Sequence, residues 1–273
     1  MEAVRLIGQK LNQFIDYKTE QSIINKLRTE GCVFAEEETQ LLTSEASNIE
    51  VLMSMVEKRV SGLPLEYVLG FTMFCGIRIE IEQGVFIPRR RTEFLVEQAK
   101  VLACPNDIVL DLCCGSGAVG AAIATDLKKI LLHSVDIDPV AVRCASHNIT
   151  KIGGHVYHGD LYDVLPHSLR GQVNMIVANA PYVPAESVKL LPREARLYEP
   201  KVALDGGKDG LHLHRIIAEK APHWLVSGGH LLIETSERQG AKTFELFVKA
   251  GLITKIVREK ELDATVVIGT KPC

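Results

Sequence analysis

The chain has 273 residues, of which 47% are hydrophobic and 24% charged, and its net charge is −3. This is the composition of a globular protein with one large domain, or one domain and a smaller companion. It gives no overall pull toward nucleic acid. The seven cysteines, Cys32, Cys75, Cys104, Cys113, Cys114, Cys144 and Cys273, are odd in number and contain no Cys-x-x-Cys pair. A disulfide framework or a zinc site is therefore not expected, and a reducing compartment is. The N-terminus lacks a signal-peptide core, and no apolar run approaches ~20 residues. A cytoplasmic, monomeric protein with no membrane span is expected.

The first 60 residues carry helical periodicity. Val4, Leu6, Ile7, Leu11, Phe14 and Ile15 form one stripe, and Ile23, Ile24 and Leu27 a second, closed by Gly31. A third helix is predicted from Glu36 to Ala46, and a fourth from an Asn48 cap to just before Gly62 and Pro64. These four make a small helical domain over residues 1–70. Over residues 71–87 the apolar Ile77, Ile79 and Ile81 alternate with Arg78, Glu80 and Glu82, and a turn is predicted at Gln83-Gly84. That pattern predicts a β-hairpin linking to a second domain over residues 88–273. There the pattern becomes strand and helix in alternation. Strands are predicted at Ile108–Leu110, Leu131–Val135, Val156–Tyr157, Met175–Ala178 and Leu231–Ile233, with helices from Ala118, Pro139, Gly210 and Ala241. Such alternation implies right-handed crossovers and a mostly parallel sheet. Two final strands, Ile253–Val257 and Thr265–Ile268, are joined too briefly for a crossover helix and should pair antiparallel.

The stretch VLDLCCGSGAVG places Gly115, Gly117 and Gly120 in G-x-G-x-x-G spacing between a strand and a helix. That is a nucleotide-cofactor loop, or a tight turn holding no ligand. Asp136 ends the next strand, placed for a ribose diol. NAD and S-adenosylmethionine (SAM) both carry that ribose, so Asp136 does not separate them. Asp111, just before the loop, favours SAM: a carboxylate repels a pyrophosphate and attracts an ammonium and a sulfonium. Asp160, followed by Leu161, ends the third strand. It is either an adenine contact or a helix N-cap. Cys113 and Cys114 read as small loop residues, because no base has an evident place beside them.

The fourth strand ends Asn179-Ala180-Pro181-Tyr182. In a doubly wound sheet this point adjoins the ligand crevice. An Asn side-chain oxygen and the following carbonyl can hold both N–H bonds of a planar NH2 group. They would orient its nitrogen and stabilise charge as a methyl arrives, while Tyr182 stacks on the plane. The alternative is a strand-terminating Asn-x-Pro turn.

In these motifs the chain resembles the HemK/PrmC group of protein-(glutamine-N5) methyltransferases. The resemblance rests on RVSGLPLEYVLGFTMFCGIRIEIEQGVFIPRRRTEFLVEQA, VLDLCCGSGAVG, VDIDP, GDLYDVLP, EARLYEPKVALDGGKDGLHLHRII and LVSGGHLLIET, and covers nearly the whole chain. It implies a seven-stranded, mostly parallel Rossmann-like SAM methyltransferase sheet after a helical substrate-recognition domain and a hairpin. The implied activity is methyl transfer to the N5 of a protein glutamine, with a peptide chain release factor as the expected partner and S-adenosylhomocysteine as the product. Catalytic residues would be Asn179, Ala180, Pro181 and Tyr182. Cofactor contacts would come from Asp111, Cys113, Gly115, Ser116, Gly117, Asp136, Ile137, Asp160, Leu161 and Asn179, with Pro88, Arg89 and Thr92 on the rim. Two departures stand out. The usual Asn-Pro-Pro-Tyr is Asn179-Ala180-Pro181-Tyr182 here, and the usual Ile-Pro-Arg-Pro-Glu-Thr-Glu is Ile87-Pro88-Arg89-Arg90-Arg91-Thr92-Glu93.

Two other readings compete. One is an N6-adenine methyltransferase, whose flipped base would stack on Tyr182. The other is a SAM-binding scaffold without catalysis. Arg89 to Arg91 could meet an acidic or RNA-bearing partner, or form a solvated basic face. His212 and His214, two apart on a helix, point to different faces and make no metal pair. Trp224 is expected to pack its helix on the sheet. Glu194 and Glu199 either brace the loop after Tyr182 or face solvent, and Glu234 would brace the site from the fifth strand rather than transfer a proton.

Overall fold

The structure, a computed structural model, describes residues 15–127 and 129–273. Of the stripe predicted over Val4–Ile15, all but Ile15 lies outside the described residues; Ile15 packs against the core of the helical unit. The chain forms two compact units that divide between Phe71 and Thr72.

The smaller unit is helical. Helix α1 (Tyr17–Thr29) starts at Asp16, whose carboxylate accepts the Thr19 N–H at 2.8 Å. Helix α2 spans Ala35–Glu45. Helix α3 (Ile49–Val60) starts at the predicted cap, with Asn48 Oδ1 accepting the Val51 N–H at 2.9 Å. A short α4 (Leu65–Leu69) follows. Ile23, Ile24, Leu27, Ala35, Leu42, Leu52 and Val56 form the buried core. Beside it the Arg59 guanidinium donates to both oxygens of Glu38, at 2.7 and 3.2 Å.

In the hairpin, β1 (Phe71–Phe74) pairs with β2 (Ile77–Glu80). Its turn is Cys75-Gly76, both at positive φ (48° and 76°), not the predicted Gln83-Gly84. Two left-handed residues in a two-residue connection match the right-handed twist of paired strands. Gln83-Gly84 does form a turn, closed by the Val85 N–H donating to the Glu82 carbonyl at 3.2 Å, but it follows β2 rather than joining the two strands.

The larger unit continues with α5 (Glu93–Leu102), β3 (Ile108–Leu112), α6 (Ala118–Leu127), β4 (Leu131–Asp136), α7 (Pro139–Ile149), β5 (His155–His158) and β6 (Val173–Ala178). It ends with α8 (Arg193–Tyr198), α9 (His212–Trp224), β7 (Leu225–Thr235), α10 (Glu237–Lys249), β8 (Ile253–Glu259) and β9 (Ala264–Thr270). Helix α5 was not foreseen, and β7 is longer than its predicted apolar centre.

The seven-stranded sheet runs β5-β4-β3-β6-β7-β9-β8. It is parallel except at β9, which pairs antiparallel with both β7 and β8, as the short connection required. Leu110, Leu112, Ile176, Ala178, Leu231 and Ile233 share one core with Ile217 and Trp224 of α9 and Phe247 of α10. Trp224 stacks on Tyr162, ring centroids 5.5 Å apart. Alternate strand residues face the other side, which is where Asp111 meets α6. Strand order reverses between β3 and β6, so the C-terminal ends of these two strands define the crevice in which such folds bind ligands.

Candidate active site

The loop after β3 is held from below by two acids. Asp111 is only 1% exposed, and its Oδ2 accepts the Gly120 N–H at 2.9 Å. The sequence suggests that Asp111 faces the ligand; its carboxylate is buried and bonded to the first turn of α6. Asp136 Oδ2 accepts the Gly115 N–H at 2.8 Å, and Oδ1 accepts the Asp138 N–H at 2.9 Å. Both carboxylates thus fix the loop through backbone donors. Cys113 (φ 56°), Gly115 (φ 55°) and Gly117 (φ 77°) are left-handed, which gives the loop its tight path. Ser116 is buried, and its carbonyl accepts from Asn148 Nδ2 at 2.9 Å.

Burial pushes the Asp111 carboxyl up to about 7, with Asp136 adding to the rise and the Gly120 N–H opposing it. Burial also raises Asp136, against the backbone donors of Asp138 and Gly115. Among the described residues neither acid is ion-paired to a basic side chain. Desolvated carboxylates without a counter-ion favour a cation. A Cβ at Gly115 would meet nothing within 4 Å, so the loop keeps open space at that residue. A cationic cofactor with a diol suits this donor set. Burial, followed by Asp136, drives the Cys113 and Cys114 thiols well above their ordinary range. They therefore stay protonated and are poor nucleophiles.

At the outer end of the crevice Ile137 is exposed and Asp160 is exposed, while Leu161 is buried in a left-handed conformation (φ 46°). The Asp160 carbonyl accepts the Asp163 N–H at 3.0 Å, closing a turn.

The acceptor loop leaves β6 beside β3. Ala178 pairs with Ile233 of β7, so the next residues along, Asn179 and Glu234, leave their strands on one face. Asn179 is half-buried, and its Nδ2 donates to Thr92 Oγ1 at 3.3 Å. Among the described residues no side chain or backbone group donates to Asn179 Oδ1. Ala180 and Pro181 are buried. The Tyr182 hydroxyl donates to Glu234 Oε1 at 3.2 Å. Burial, then Glu234, pushes the Tyr182 phenol well above its ordinary range, so it remains a donor. Gln239 Nε2 donates to the Tyr182 and Asp209 carbonyls at 2.9 and 3.0 Å, tying the loop to the start of α10.

The arginine run is divided between ion pairs and solvent. Arg89 lies 4.9 Å above the Phe86 ring and donates to the buried Glu199 carboxylate, which braces the segment after Tyr182. Arg91 Nε lies 3.6 Å from Glu234 Oε1. Arg90 points to solvent, and Pro88 is half-buried. The Glu199 and Glu234 attachments could not be read from spacing, because each partner lies more than a hundred residues away in sequence. His212 and His214 do face different sides. His212 is exposed; His214 is fully buried, bonded to Thr243 Oγ1 at 3.0 Å, and burial lowers its pKa to about 4. Among the described residues no group of three or more His, Cys, Asp or Glu side chains could hold a metal. None of the described helices is long and apolar enough to cross a membrane.

A seven-stranded sheet of this order, with a glycine loop after β3 and an amide at the end of β6, defines a SAM-dependent methyltransferase. The family model described as the Methyltransferase small domain matches residues 77–195. The fold alone is shared with a methyltransferase from Pyrococcus furiosus: TM-score 0.55, 17% identity, covering 72% of this chain and 90% of that one. The relatives are more specific. The release factor glutamine methyltransferase of Geobacter sulfurreducens is 36% identical over 199 residues, 72% of this chain and 69% of its own length. That of Thermodesulfovibrio yellowstonii is 29% identical over 269 residues, 95% of this chain and 94% of its own. The chain belongs to the release factor glutamine methyltransferase family.

Proposed function

We propose that this enzyme methylates the side-chain N5 of a glutamine in a translation protein, with the glutamine of the Gly-Gly-Gln tripeptide of a peptide chain release factor as the substrate. The carrying observation is the Asn179 amide, held at the end of β6 by its nitrogen and with its oxygen unengaged. Membership of a family whose relatives bear the release factor name supports the substrate class.

SAM, when bound, supplies an electrophilic methyl on a sulfonium. Asp136 would hold the ribose through lone pairs its backbone donors leave free, with Ser116, Gly117 and Ile137 lining the approach and Asp160 and Leu161 at the adenine end. The buried Asp111 and Asp136 make the crevice attractive to a cation. Asn179 Oδ1 and the Ala180 carbonyl would accept the two N–H bonds of the glutamine amide. Those bonds orient the nitrogen and stabilise the positive charge that grows on it. Tyr182 would lie against the amide plane, held by Glu234 and Gln239. Pro88, Arg89 and Thr92 form the rim. An alanine at 180 keeps the carbonyl, and Pro181 biases it toward extended backbone; the extra freedom costs about 0.4–1 kcal/mol. The helical unit would grip the protein substrate.

With radiolabelled SAM, the purified protein should label a release factor, and replacing the Gly-Gly-Gln glutamine should abolish that label. Labelling that survives this replacement would refute the substrate. Asn179→Ala should lower kcat by about 10²–10³, the usual worth of one group aimed at developing charge; wild-type turnover would refute the role of the amide.

A further inference from the structure

Asn148, in the last turn of α7, is 9% exposed, and both ends of its side-chain amide are engaged. Its Oδ1 accepts the Glu80 N–H at 2.9 Å. Its Nδ2 donates to the Glu80 carbonyl and to the Ser116 carbonyl, each at 2.9 Å, with a longer contact of 3.4 Å to the Cys144 carbonyl of its own helix. Glu80 ends β2, 68 residues before Asn148; Ser116 belongs to the cofactor loop, 32 residues before it. One side chain thus joins the hairpin to the loop.

Toward Glu80 the amide behaves as a residue on a neighbouring antiparallel strand would, taking the N–H and giving to the carbonyl of one residue. Two bonds to one residue fix the plane of the amide. A planar NH2 carries two hydrogens in that plane, so the second one has a set direction, and the Ser116 carbonyl lies on it. The peptide between Ser116 and Gly117 is then held at both ends, its carbonyl by Asn148 and its N–H by the Cys114 carbonyl at 2.7 Å. Ile149, the next residue of α7, packs against Gly117 closely enough that a Cβ there would lie 2.5 Å from its Cδ1. The Ser116 carbonyl cannot leave without stripping Asn148 of a partner or turning the amide out of the Glu80 plane, and a buried amide is costly to leave unbonded. Lys151 also pairs with the Glu80 carboxylate, and Cys144 Sγ donates to the Glu80 carbonyl at 3.2 Å. Those two contacts hold β2 to the α7 region without involving the cofactor loop.

We propose that Asn148 is a positioning residue that makes the end of β2 and the SAM loop open and close together, so that occupancy of the cofactor site is felt in the hairpin. Opening of the loop at Ser116 releases the amide, and the Glu80 N–H with it. A ligand that holds the loop closed therefore also holds β2, in the hairpin through which the chain enters the larger unit. The inference uses only the cofactor loop and assumes nothing about the methyl acceptor. Failure of the Gly-Gly-Gln substrate or of the role of Asn179 leaves it standing, and its own failure leaves them standing.

The test uses 15N-labelled full-length protein and S-adenosylhomocysteine as an unreactive probe. Hydrogen exchange of the Glu80 amide is followed without the probe and at about 100 times its measured Kd. In the free protein Glu80 should exchange faster than Ile176, in the centre of the sheet, which marks a local opening rather than global unfolding. If that opening is the opening of the loop, the probe slows Glu80 by a factor of up to 1 + [probe]/Kd, about 100-fold; a slowing of at least about 10-fold is expected. Lys151→Ala removes the surface ion pair and should keep this response. Asn148→Ala removes both arms of the link. Its Glu80 amide should exchange fast and equally with and without the probe, and probe affinity should fall about 5-fold, the worth of one hydrogen bond. Melting temperature and Trp224 fluorescence check that each variant folds. A wild-type Glu80 amide that the probe does not slow, or that exchanges no faster than Ile176, overturns the proposal whether or not Asn148→Ala folds. A response that survives in folded Asn148→Ala, or is lost in Lys151→Ala, also overturns it, because β2 would then be coupled to the cofactor by another route.

Discussion

Gly117 and Gly115 sit two residues apart in the cofactor loop, yet the structure assigns them different consequences on replacement. Both have positive φ, 77° and 55°, so alanine at either costs about 1–2 kcal/mol of backbone energy. Their surroundings differ. A Cβ at Gly117 would lie 2.5 Å from Ile149 Cδ1, 2.9 Å from Ile149 Cγ1 and 3.3 Å from the Ala145 Cβ. Ile149 is fully buried at the end of α7 and has nowhere to retreat, so overpacking adds about 1–3 kcal/mol. A Cβ at Gly115 meets nothing within 4 Å. Gly117→Ala should therefore lose about 2–5 kcal/mol and melt about 5–15 °C lower, against about 3–6 °C for Gly115→Ala. The single tryptophan, Trp224, is buried in the larger unit. Its fluorescence on heating reads the unfolding of that unit without the helical one. SAM affinity below the melting range should fall in Gly115→Ala, whose methyl enters the open space of the loop. Equal melting of the two variants would refute the packing argument, because backbone strain alone would then account for both.

Asp111 gives a pH prediction. Its carboxyl is raised from an ordinary 3.8 to about 7 by burial, so the folded state holds a proton that the unfolded state has lost. Stability contributed by that proton is present below pH ~4 and is lost as pH rises to about 7, amounting to about 4 kcal/mol. Asp111→Asn should melt with wild type near pH 4 and above it at pH 8 without cofactor, as calorimetry would show; a gap independent of pH would count against this. In the helical unit, Glu38→Ala leaves the partly buried Arg59 without its bidentate partner. It should destabilise that unit by about 3 kcal/mol, seen as faster amide exchange in α1 to α3 with α9 and α10 unchanged. Gln239→Ala removes two donors to the acceptor loop. It should lower kcat several-fold and speed amide exchange near Tyr182, with SAM affinity kept.

The sequence by itself determined the order of strands in the sheet domain, the antiparallel final pair, the cap at Asn48, the helix start at Pro139, and the residues at the ends of β3, β4 and β6. These are local matters: periodicity, turn chemistry and short connections act over a few residues. It failed at the hairpin turn, where isoleucine alternation continues past the end of β2 and Cys75-Gly76 carries no familiar turn pair. Only the tertiary structure decided what the polar residues touch. It bonded the Asp111 carboxylate to the Gly120 N–H, and it turned Arg89 and Arg91 onto Glu199 and Glu234. It also put Thr92 against Asn179. The arginine and threonine contacts join residues from about ninety to more than a hundred and forty positions apart, once β6 and β7 lie side by side and the turn before α5 reaches their ends. A linear pattern shows which groups are available. Packing decides which of them share a buried space, and there the Glu199 and Glu234 carboxylates become braces for Arg89 and Tyr182.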